Sequence, residues 1–318
     1  MRLLLSSLCA WALFADAGDR VLQADGEISS VAFTRDGGLA AMGRDGKIRV
    51  WDLKSGALSK TIDKEKGEAG TTFLAARGQF AVIGEDGRIK IRDLSSGDVV
   101  RQWAGPTPRA GGFVSTGDGK SLAGSGRPYA GSSENLVRVW NADGREKFKV
   151  PAGIGGVSAM AFSPDGETLV AAAYDTDVRV WSARNGELKR LVEEMTVSMF
   201  ELAFSPDGKL LAAAGVDRII YLWDTKTWKL VRKITGQPEM ISAMDFSPDG
   251  KLIVTGGMNE MAFGAPVKVI LWDVATGKPV RTMGADHRAA GAVFSPDGKM
   301  VAVADYDKTI SIWAVPAR

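Results

Sequence analysis

Few side chains of this sequence have the chemistry and the spacing that a catalytic or metal-binding centre needs. His287, the single histidine, lies between Asp286 and Arg288, and an imidazole on a loop can carry a proton. We interpret it as a solvated loop residue, because general-base and metal chemistry usually use several histidines or clustered acids. The sequence therefore predicts no catalytic residue, no metal site and no cofactor.

The Asp-Gly pairs and the glycine-rich stretches are typical of turns rather than of ligand sites. A calcium loop needs a ladder of alternating acids within about twelve residues, and we find no such ladder. Ala110-Gly111-Gly112 lacks the strand-loop-helix context of a phosphate-binding loop. The formal net charge is +2 and no run of five basic residues occurs, so we expect no nucleic-acid partner.

The first 17 residues have the pattern of a cleaved signal peptide. A basic residue precedes an apolar run from Leu3 to Phe14, and Ala15-Asp16-Ala17 is a small-x-small cleavage pattern. The run is shorter than the roughly 20 residues that a membrane span needs. We expect residues 1–17 to be removed with Cys9, the single cysteine, and residues 18–318 to form one exported domain, periplasmic or secreted. An additional buried strand is the alternative interpretation.

A tryptophan ends a strand-like segment of alternating side chains at six places, and Arg92 takes its position in a seventh segment. Successive positions are 41 to 49 residues apart, which is close to the period of about 40 to 45 residues for one four-stranded blade. The sequence therefore predicts seven blades. The six tryptophans are Trp51, Trp140, Trp181, Trp223, Trp272 and Trp313.

Turn signals divide each repeat into strands. Ser-Pro-Asp-Gly begins at residues 163, 205, 247 and 295, where proline and glycine favour a tight hairpin. A second turn contains an aspartate six residues before the closing residue of five segments, and Glu134 and Pro266 stand there in the other two. The five aspartates, which we expect to tighten this turn, are Asp45, Asp86, Asp175, Asp217 and Asp307.

This pattern resembles the WD40-repeat family over essentially the whole of residues 18–318, and Trp51-Asp52 is one of three copies of its Trp-Asp dipeptide. The resemblance implies an all-β, seven-bladed β-propeller with four antiparallel strands in each blade. The chain ends within five residues of Trp313, and the segment from Arg20 to Gln23 resembles an outer strand. We therefore predict that the N-terminal strand closes the last blade.

One family feature is missing. Gln237 stands nine residues before Phe246, where the histidine of the family's Gly-His dipeptide is expected. This departure looks like the prokaryotic branch of the family. It implies that the buried His-Ser-Asp-Trp hydrogen-bond tetrad of many relatives is absent.

Two insertions fall before the third strand of blades 3 and 6, on the rim that carries the loops between blades. That rim is the usual binding face in the family that the chain resembles. Exposed aromatic, methionine and arginine side chains on loops are typical of contact sites, although those of the insertions could instead fold back onto their own blades. We predict that the rim binds a partner through Tyr129 in the first insertion, Met258, Met261 and Phe263 in the second, Arg44, Glu85, Tyr174 and Tyr306 beside the turn acids, and Phe200 on an inner strand.

The resemblance and the lack of catalytic side chains together predict a noncatalytic scaffold that presents this rim to a protein or peptide. We expect a monomer within a larger complex. Two alternatives stay open, because one fold can carry several functions. A cluster of rim acids with His287 would favour a propeller hydrolase such as a lactonase, and a rim of tyrosines would suit an envelope propeller that binds carbohydrate.

Overall fold

A computed structural model describes residues 19–63, 68–74, 77–84, 87–105, 110–126, 135–153, 155–175, 177–192, 198–259, 265–285 and 287–317. In these ranges the chain forms 28 strands, arranged as seven antiparallel sheets of four strands each. Among the same residues, no helix is long and apolar enough to cross a membrane. The predicted all-β propeller of seven four-stranded blades is confirmed.

The first strand, β1 (Arg20–Gln23), belongs to the last blade, and the others follow in chain order. Blade 1 consists of β2 (Ile28–Phe33), β3 (Leu39–Gly43), β4 (Ile48–Trp51) and β5 (Leu58–Ile62). Blade 2 consists of β6 (Glu68–Leu74), β7 (Gln79–Gly84), β8 (Arg88–Asp93) and β9 (Val99–Ala104). Blade 3 consists of β10 (Ala110–Ser115), β11 (Ser121–Gly126), β12 (Leu136–Asn141) and β13 (Glu146–Pro151).

Blades 4 to 7 have the same plan. Blade 4 consists of β14 (Val157–Phe162), β15 (Thr168–Ala173), β16 (Val178–Ser182) and β17 (Leu188–Val192). Blade 5 consists of β18 (Met199–Phe204), β19 (Leu210–Gly215), β20 (Ile220–Asp224) and β21 (Leu230–Ile234). Blade 6 consists of β22 (Met240–Phe246), β23 (Leu252–Met258), β24 (Val267–Asp273) and β25 (Pro279–Ala285), and blade 7 consists of β26 (Ala289–Phe294), β27 (Met300–Asp305), β28 (Thr309–Ala314) and β1.

The Ser-Pro-Asp-Gly turns join the first two strands of their blades by side-chain hydrogen bonds. Ser163 Oγ donates to Asp165 Oδ1 at 2.5 Å, and it accepts the backbone N–H of Thr168 at 2.9 Å. Gly166 has φ +72°, a left-handed conformation that glycine adopts without steric strain. The sequence thus fixes the hairpin between β14 and β15 locally, before any packing between blades.

The N-terminal strand closes the ring. β1 pairs antiparallel with β28, with Arg20 opposite Ile312, and Asp19 Oδ1 accepts the backbone N–H of Ala314 at 3.2 Å. Asp19 also forms an ion pair of 2.8 Å with Arg281 of blade 6. This confirms the predicted closure, and it removes the exposed sheet edge that blade 7 would otherwise present.

The tryptophans fill the spaces between blades. Trp51 packs on Ala302 and Ala304 of blade 7, and Trp272 packs on Ala212 and Ala214 of blade 5, so each large ring lies against the small residues of the preceding blade. Five of the six rings are buried, and Trp313 is partly buried. Because a single sheet cannot cover both of its own faces, this large-against-small packing holds neighbouring blades together.

A second contact, which we call the clasp, joins neighbouring blades at their outer strands. A basic side chain of one outer strand donates a hydrogen bond to a backbone carbonyl in the turn between the third and fourth strands of the next blade, or at the end of that blade's third strand. Five clasps are present among the described residues: Arg20 to Leu53, Arg101 to Ala142 (2.7 Å), Lys147 to Ala183 (2.8 Å), Arg232 to Thr276 (3.4 Å) and Arg281 to Ala314 (2.6 Å).

Candidate functional site on the upper rim

Because strands alternate in direction, the loops between blades and the turns before each third strand lie at one end of the disc, which we call the upper rim. The turn acids stabilise these turns. Asp45, Asp175, Asp217 and Asp307 each accept the backbone N–H of the residue two positions later, at 3.0, 3.3, 3.2 and 3.1 Å. Asp86 and Glu134 lie outside the described residues.

Three of these acids also bind a side chain on the strand that follows. Asp45 accepts hydrogen bonds from both Nη atoms of the buried Arg49, which hold the pKa of Asp45 below its usual value. Asp175 pairs with Arg179 at 2.9 Å in the same way. Asp217 instead accepts the hydroxyl of Tyr221 at 2.7 Å. The acids therefore hold the rim turns in place, whereas Arg44 and Tyr174, beside two of them, are exposed.

Tyr306 lies at the centre of a cluster that joins blades 7 and 1. The guanidinium carbons of Arg44 and Arg288 lie 5.2 and 5.0 Å from the centroid of its ring, within the distance of a cation–π contact. The backbone N–H of Tyr306 donates to the carbonyl of Arg288 at 3.2 Å. Arg44 is also 3.6 Å from Glu27. Two of the predicted contact residues, Arg44 and Tyr306, are thus brought together, and Arg288 joins them.

The other predicted contact residues lie apart from this cluster. Tyr174 of blade 4 is 55% exposed, whereas Phe200 is half-buried beside an irregularity in the pairing of β18 with β19. Met258 was expected to be an exposed loop contact, and this is wrong, because it lies in β23 opposite Met240 and is buried. Glu85, Tyr129, Met261 and Phe263 lie outside the described residues.

Two half-buried acids on the first strands, Glu201 and Asp245, were not predicted from the sequence. Burial raises the pKa of Glu201 to about 8, with a further rise from Asp245 and an opposing effect from Arg288. Burial also raises the pKa of Asp245 to about 7, although its Oδ2 accepts the backbone N–H of Phe294 at 2.8 Å. A sequence signal exists for Asp245, since four other first strands have alanine or valine directly before this phenylalanine position, as in Val293-Phe294.

The single histidine lies beside a turn acid. His287 Nδ1 is 3.1 Å from Asp307 Oδ2 but does not form a hydrogen bond with it, and the histidine side chain is 38% exposed. Within the described ranges, no group of three or more histidine, cysteine, aspartate or glutamate side chains could hold a metal ion. The rim therefore contains one His–Asp pair, at the junction that also carries Tyr306.

A hydrogen-bond chain in blade 6 changes one expectation. The indole N–H of Trp272 donates to Thr255 Oγ1 at 2.8 Å, and that hydroxyl donates to Gln237 Oε1 at 2.8 Å. Gln237 Nε2 then donates to the carbonyl of Lys268 at 3.0 Å. The histidine of the tetrad is absent, as expected, but Gln237 takes its place in a shorter chain. Among the described residues, the indole N–H of Trp223 has no such partner.

Seven four-stranded blades, closed by the N-terminal strand and bearing arginine and tyrosine on one rim, define a repeat β-propeller. The family model described as "WD40: WD domain, G-beta repeat" matches residues 19–52, 148–182, 195–224, 228–262 and 277–314, which is more than half of the chain. The chain belongs to the WD40 repeat family. WD40 propellers commonly bind other proteins as interaction scaffolds.

One relative is the WD repeat-containing protein SL1-17 of Schistosoma mansoni, which is 27% identical over 166 residues. The match covers 51% of this chain and 52% of that protein. The chain thus spans about half the length of this relative.

Proposed function

We propose that the chain is an exported, noncatalytic scaffold that binds a protein or peptide segment on its upper rim. The observation that carries this proposal is the cluster of Arg44, Tyr306 and Arg288 at the junction of blades 7 and 1. Tyrosine and arginine are frequent anchors of protein interfaces, because each provides a large contact area together with hydrogen-bonding groups.

The cluster suits an interface for a second reason. Binding is weakened by the ordering of mobile side chains, and anchors that are held in place before contact lose less conformational entropy. Here the backbone bond to Arg288 fixes the Tyr306 turn, and the two guanidinium groups restrict its ring. Exposed Tyr174 of blade 4 supplies a second aromatic contact on the same rim. We include Tyr129, Met261 and Phe263 of the insertions in the proposed contact surface.

Export remains part of the proposal on the strength of the pattern in residues 1–17. A basic start, a short apolar run and Ala15-Asp16-Ala17 support cleavage ahead of the closing strand. Mass spectrometry of the protein expressed with its first 17 residues tests this. We expect a mature form that begins at Gly18 in the exported fraction, and an intact form retained inside the cell would contradict export.

Affinity purification tests the rim. The tagged protein is compared with the double variant Tyr174→Ala/Tyr306→Ala, and copurifying proteins are quantified by mass spectrometry. We expect the variant to lose the specific partner while keeping its far-UV circular dichroism and its melting temperature within a few degrees. Leu188→Ala is the matched control, because Leu188 is 56% exposed on the outer strand β17, away from the rim. Equal recovery of the partner with all three proteins would overturn the proposal.

A propeller hydrolase is the second candidate, and the contact of His287 with Asp307 is the observation that favours it. A carboxylate beside an imidazole can orient it for general-base catalysis. The test is a panel of ester and lactone substrates with the native protein and with His287→Ala. Turnover that the substitution abolishes would support the hydrolase, and the absence of turnover on the panel would leave the scaffold as the proposed function.

A further inference from the structure

Among the described residues, the joint between blades 1 and 2 lacks both the tryptophan and the clasp, whereas the joint between blades 4 and 5 lacks only the clasp. Arg92 stands where the other blades have tryptophan, and Lys60 stands at the outer-strand position of the clasp. On the lower side of the disc, opposite the upper rim, a groove of about 590 Å³ opens between these blades. We propose that this groove is a second binding site, which takes a peptide segment with a large apolar side chain next to a carboxylate.

Strand register shows that Lys60 occupies the position of the basic clasp residue. Lys60 lies opposite Val50, as Arg232 lies opposite Leu222 in blade 5. The expected acceptor is the carbonyl of Leu94, which is two residues after Arg92, as Leu53 is two residues after Trp51. Among the described residues, no hydrogen bond joins Lys60 to Leu94, and both instead line the groove.

The residue in the tryptophan position makes different contacts at this joint. In other joints a tryptophan ring fills the space against the preceding blade. Arg92 does not line the groove, since its Nε donates to the carbonyl of Gly97 at 2.7 Å and its guanidinium carbon lies 5.7 Å from the centroid of the Phe80 ring. Its Nη1 donates to the carbonyl of Asp63, at the end of blade 1, at 3.3 Å. The blades still touch further along, because Ile62 packs directly against Gly97. The groove is therefore a local gap in a joint that is otherwise closed.

The walls of the groove determine which ligand fits. Val50 and Leu94 provide apolar surface, and Thr34, Ser59 and Ser95 provide hydroxyl groups. Among the lining residues, Arg35 and Lys60 are cationic and Asp36 is acidic, and Asp93, which does not line the groove, interacts electrostatically with Lys60. Asp36 keeps its negative charge at neutral pH, because the hydrogen bond from Thr34 lowers its pKa.

This combination favours an apolar group with an attached anion. Lys60 is half-buried beside apolar walls, where a carboxylate can form a charge-assisted hydrogen bond with its ammonium group. The volume lies within the range of about 300 to 1,000 Å³ that is typical of ligand pockets. Leu58, 48% exposed and next to lining residue Ser59, extends the apolar surface outward. The site lies at the opposite end of the disc from Tyr306, so it does not depend on the proposed rim function.

Nuclear magnetic resonance with a defined probe tests the site. The probe is the dipeptide Ac-Trp-Glu-NH2, added to protein with ¹³C-labelled valine and leucine methyl groups. We expect saturable shifts of the Val50 and Leu94 methyl signals. Ac-Trp-Lys-NH2 and Ac-Gly-Glu-NH2, which lack the anion and the ring respectively, should bind at least about fivefold more weakly. Shifts confined to the upper rim, or no saturable shift at Val50 and Leu94, would overturn the proposal.

Two substitutions of Lys60 test the site further, and both should weaken binding of the probe. Lys60→Glu reverses the charge and should weaken the probe at least about tenfold. Lys60→Arg restores the clasp to Leu94, so it should raise the melting temperature and also weaken the probe by at least about fivefold. Lys226→Glu, at an exposed lysine in the turn between β20 and β21 of blade 5, is the control and should bind as the native protein does. Undiminished binding by either Lys60 variant would refute the site.

Discussion

Thr255 tests how much buried side-chain hydrogen bonds stabilise a blade, because its hydroxyl group forms hydrogen bonds with two buried side chains. Its oxygen accepts the indole N–H of Trp272 and donates to Gln237 Oε1, each at 2.8 Å, and all three side chains are buried. Thr255→Val keeps the shape and removes both bonds. A buried polar group without a partner costs about 1 to 3 kcal/mol, so we expect a loss of about 2 to 5 kcal/mol in the free energy of unfolding.

Urea unfolding followed by tryptophan fluorescence and by circular dichroism measures this loss. Thr282→Val is the matched control, since Thr282 lies on the outer strand of the same blade and is exposed. A surface substitution of this kind should change the free energy by no more than about 0.5 kcal/mol. If Thr255→Val were no more destabilising than this control, the hydrogen-bond chain would not stabilise blade 6 and the reasoning would be refuted.

Blade 5 provides the complementary experiment. Its Trp223 lies opposite Leu211, as Trp272 lies opposite Ile253, so Ala213 is the counterpart of Thr255. The indole N–H of Trp223 has no hydrogen-bond partner among the described residues. Ala213→Ser places a hydroxyl within its reach and should stabilise the protein by about 1 kcal/mol. A destabilisation would mean that the added oxygen is crowded rather than bonded.

Two further predictions concern the half-buried acids Glu201 and Asp245 and the contacts of Arg281 with blade 7. The raised pKa values of Glu201, about 8, and Asp245, about 7, mean that the folded state favours their protonated forms, so stability should fall as pH rises from the ordinary carboxyl range of about 4 through 7 to 8. Glu201→Gln should reduce the fall between pH 5 and pH 9 in urea unfolding, and an unchanged fall would contradict this assignment. Arg281→Ala removes the bonds to Ala314 and Asp19, so it should destabilise the protein by about 1 to 2 kcal/mol and speed amide exchange in β1. Arg190→Ala, at an exposed residue on β17, should neither destabilise the protein nor speed this exchange. Equal amide exchange in β1 of the two variants would contradict a role for Arg281 in holding β1.

The repeat could be predicted from sequence because its signals are local. Proline and glycine set the four Ser-Pro-Asp-Gly hairpins, the alternating segments before each tryptophan set the strands, and the spacing of 41 to 49 residues sets the number of blades. Ring closure was also predictable, since a repeat lacking its last strand and an unassigned strand at Arg20 complement each other. Both inferences depend only on the order of the strands along the chain, which is repeated from blade to blade.

The details of the site depend on contacts between distant parts of the chain, which local patterns do not encode. Arg44 and Tyr306 come from the first and last blades, and only ring closure brings them together. Met258 was misplaced because the end of β23 extends further than the insertion suggested, and this extension buries the side chain. Glu201 and Asp245 were missed because their raised pKa arises from desolvation between blades rather than from residues next to them in the sequence.

The distribution of contacts around the ring follows from how its joints are made. Six joints are linked by the continuing chain, whereas the joint of blade 7 with blade 1 depends on the noncovalent pairing of β1 with β28. A covalent link keeps the two sides at high effective concentration, so a weakened contact there raises the free energy of the closed ring only modestly. The joint of blades 7 and 1 has no such covalent link. There β1 is held by the ion pair of Asp19 with Arg281 and by the hydrogen bond from Arg20 to Leu53, as well as by its pairing with β28. The joint of blades 1 and 2 can therefore lack both tryptophan and clasp, and leave a groove open, without loss of the ring.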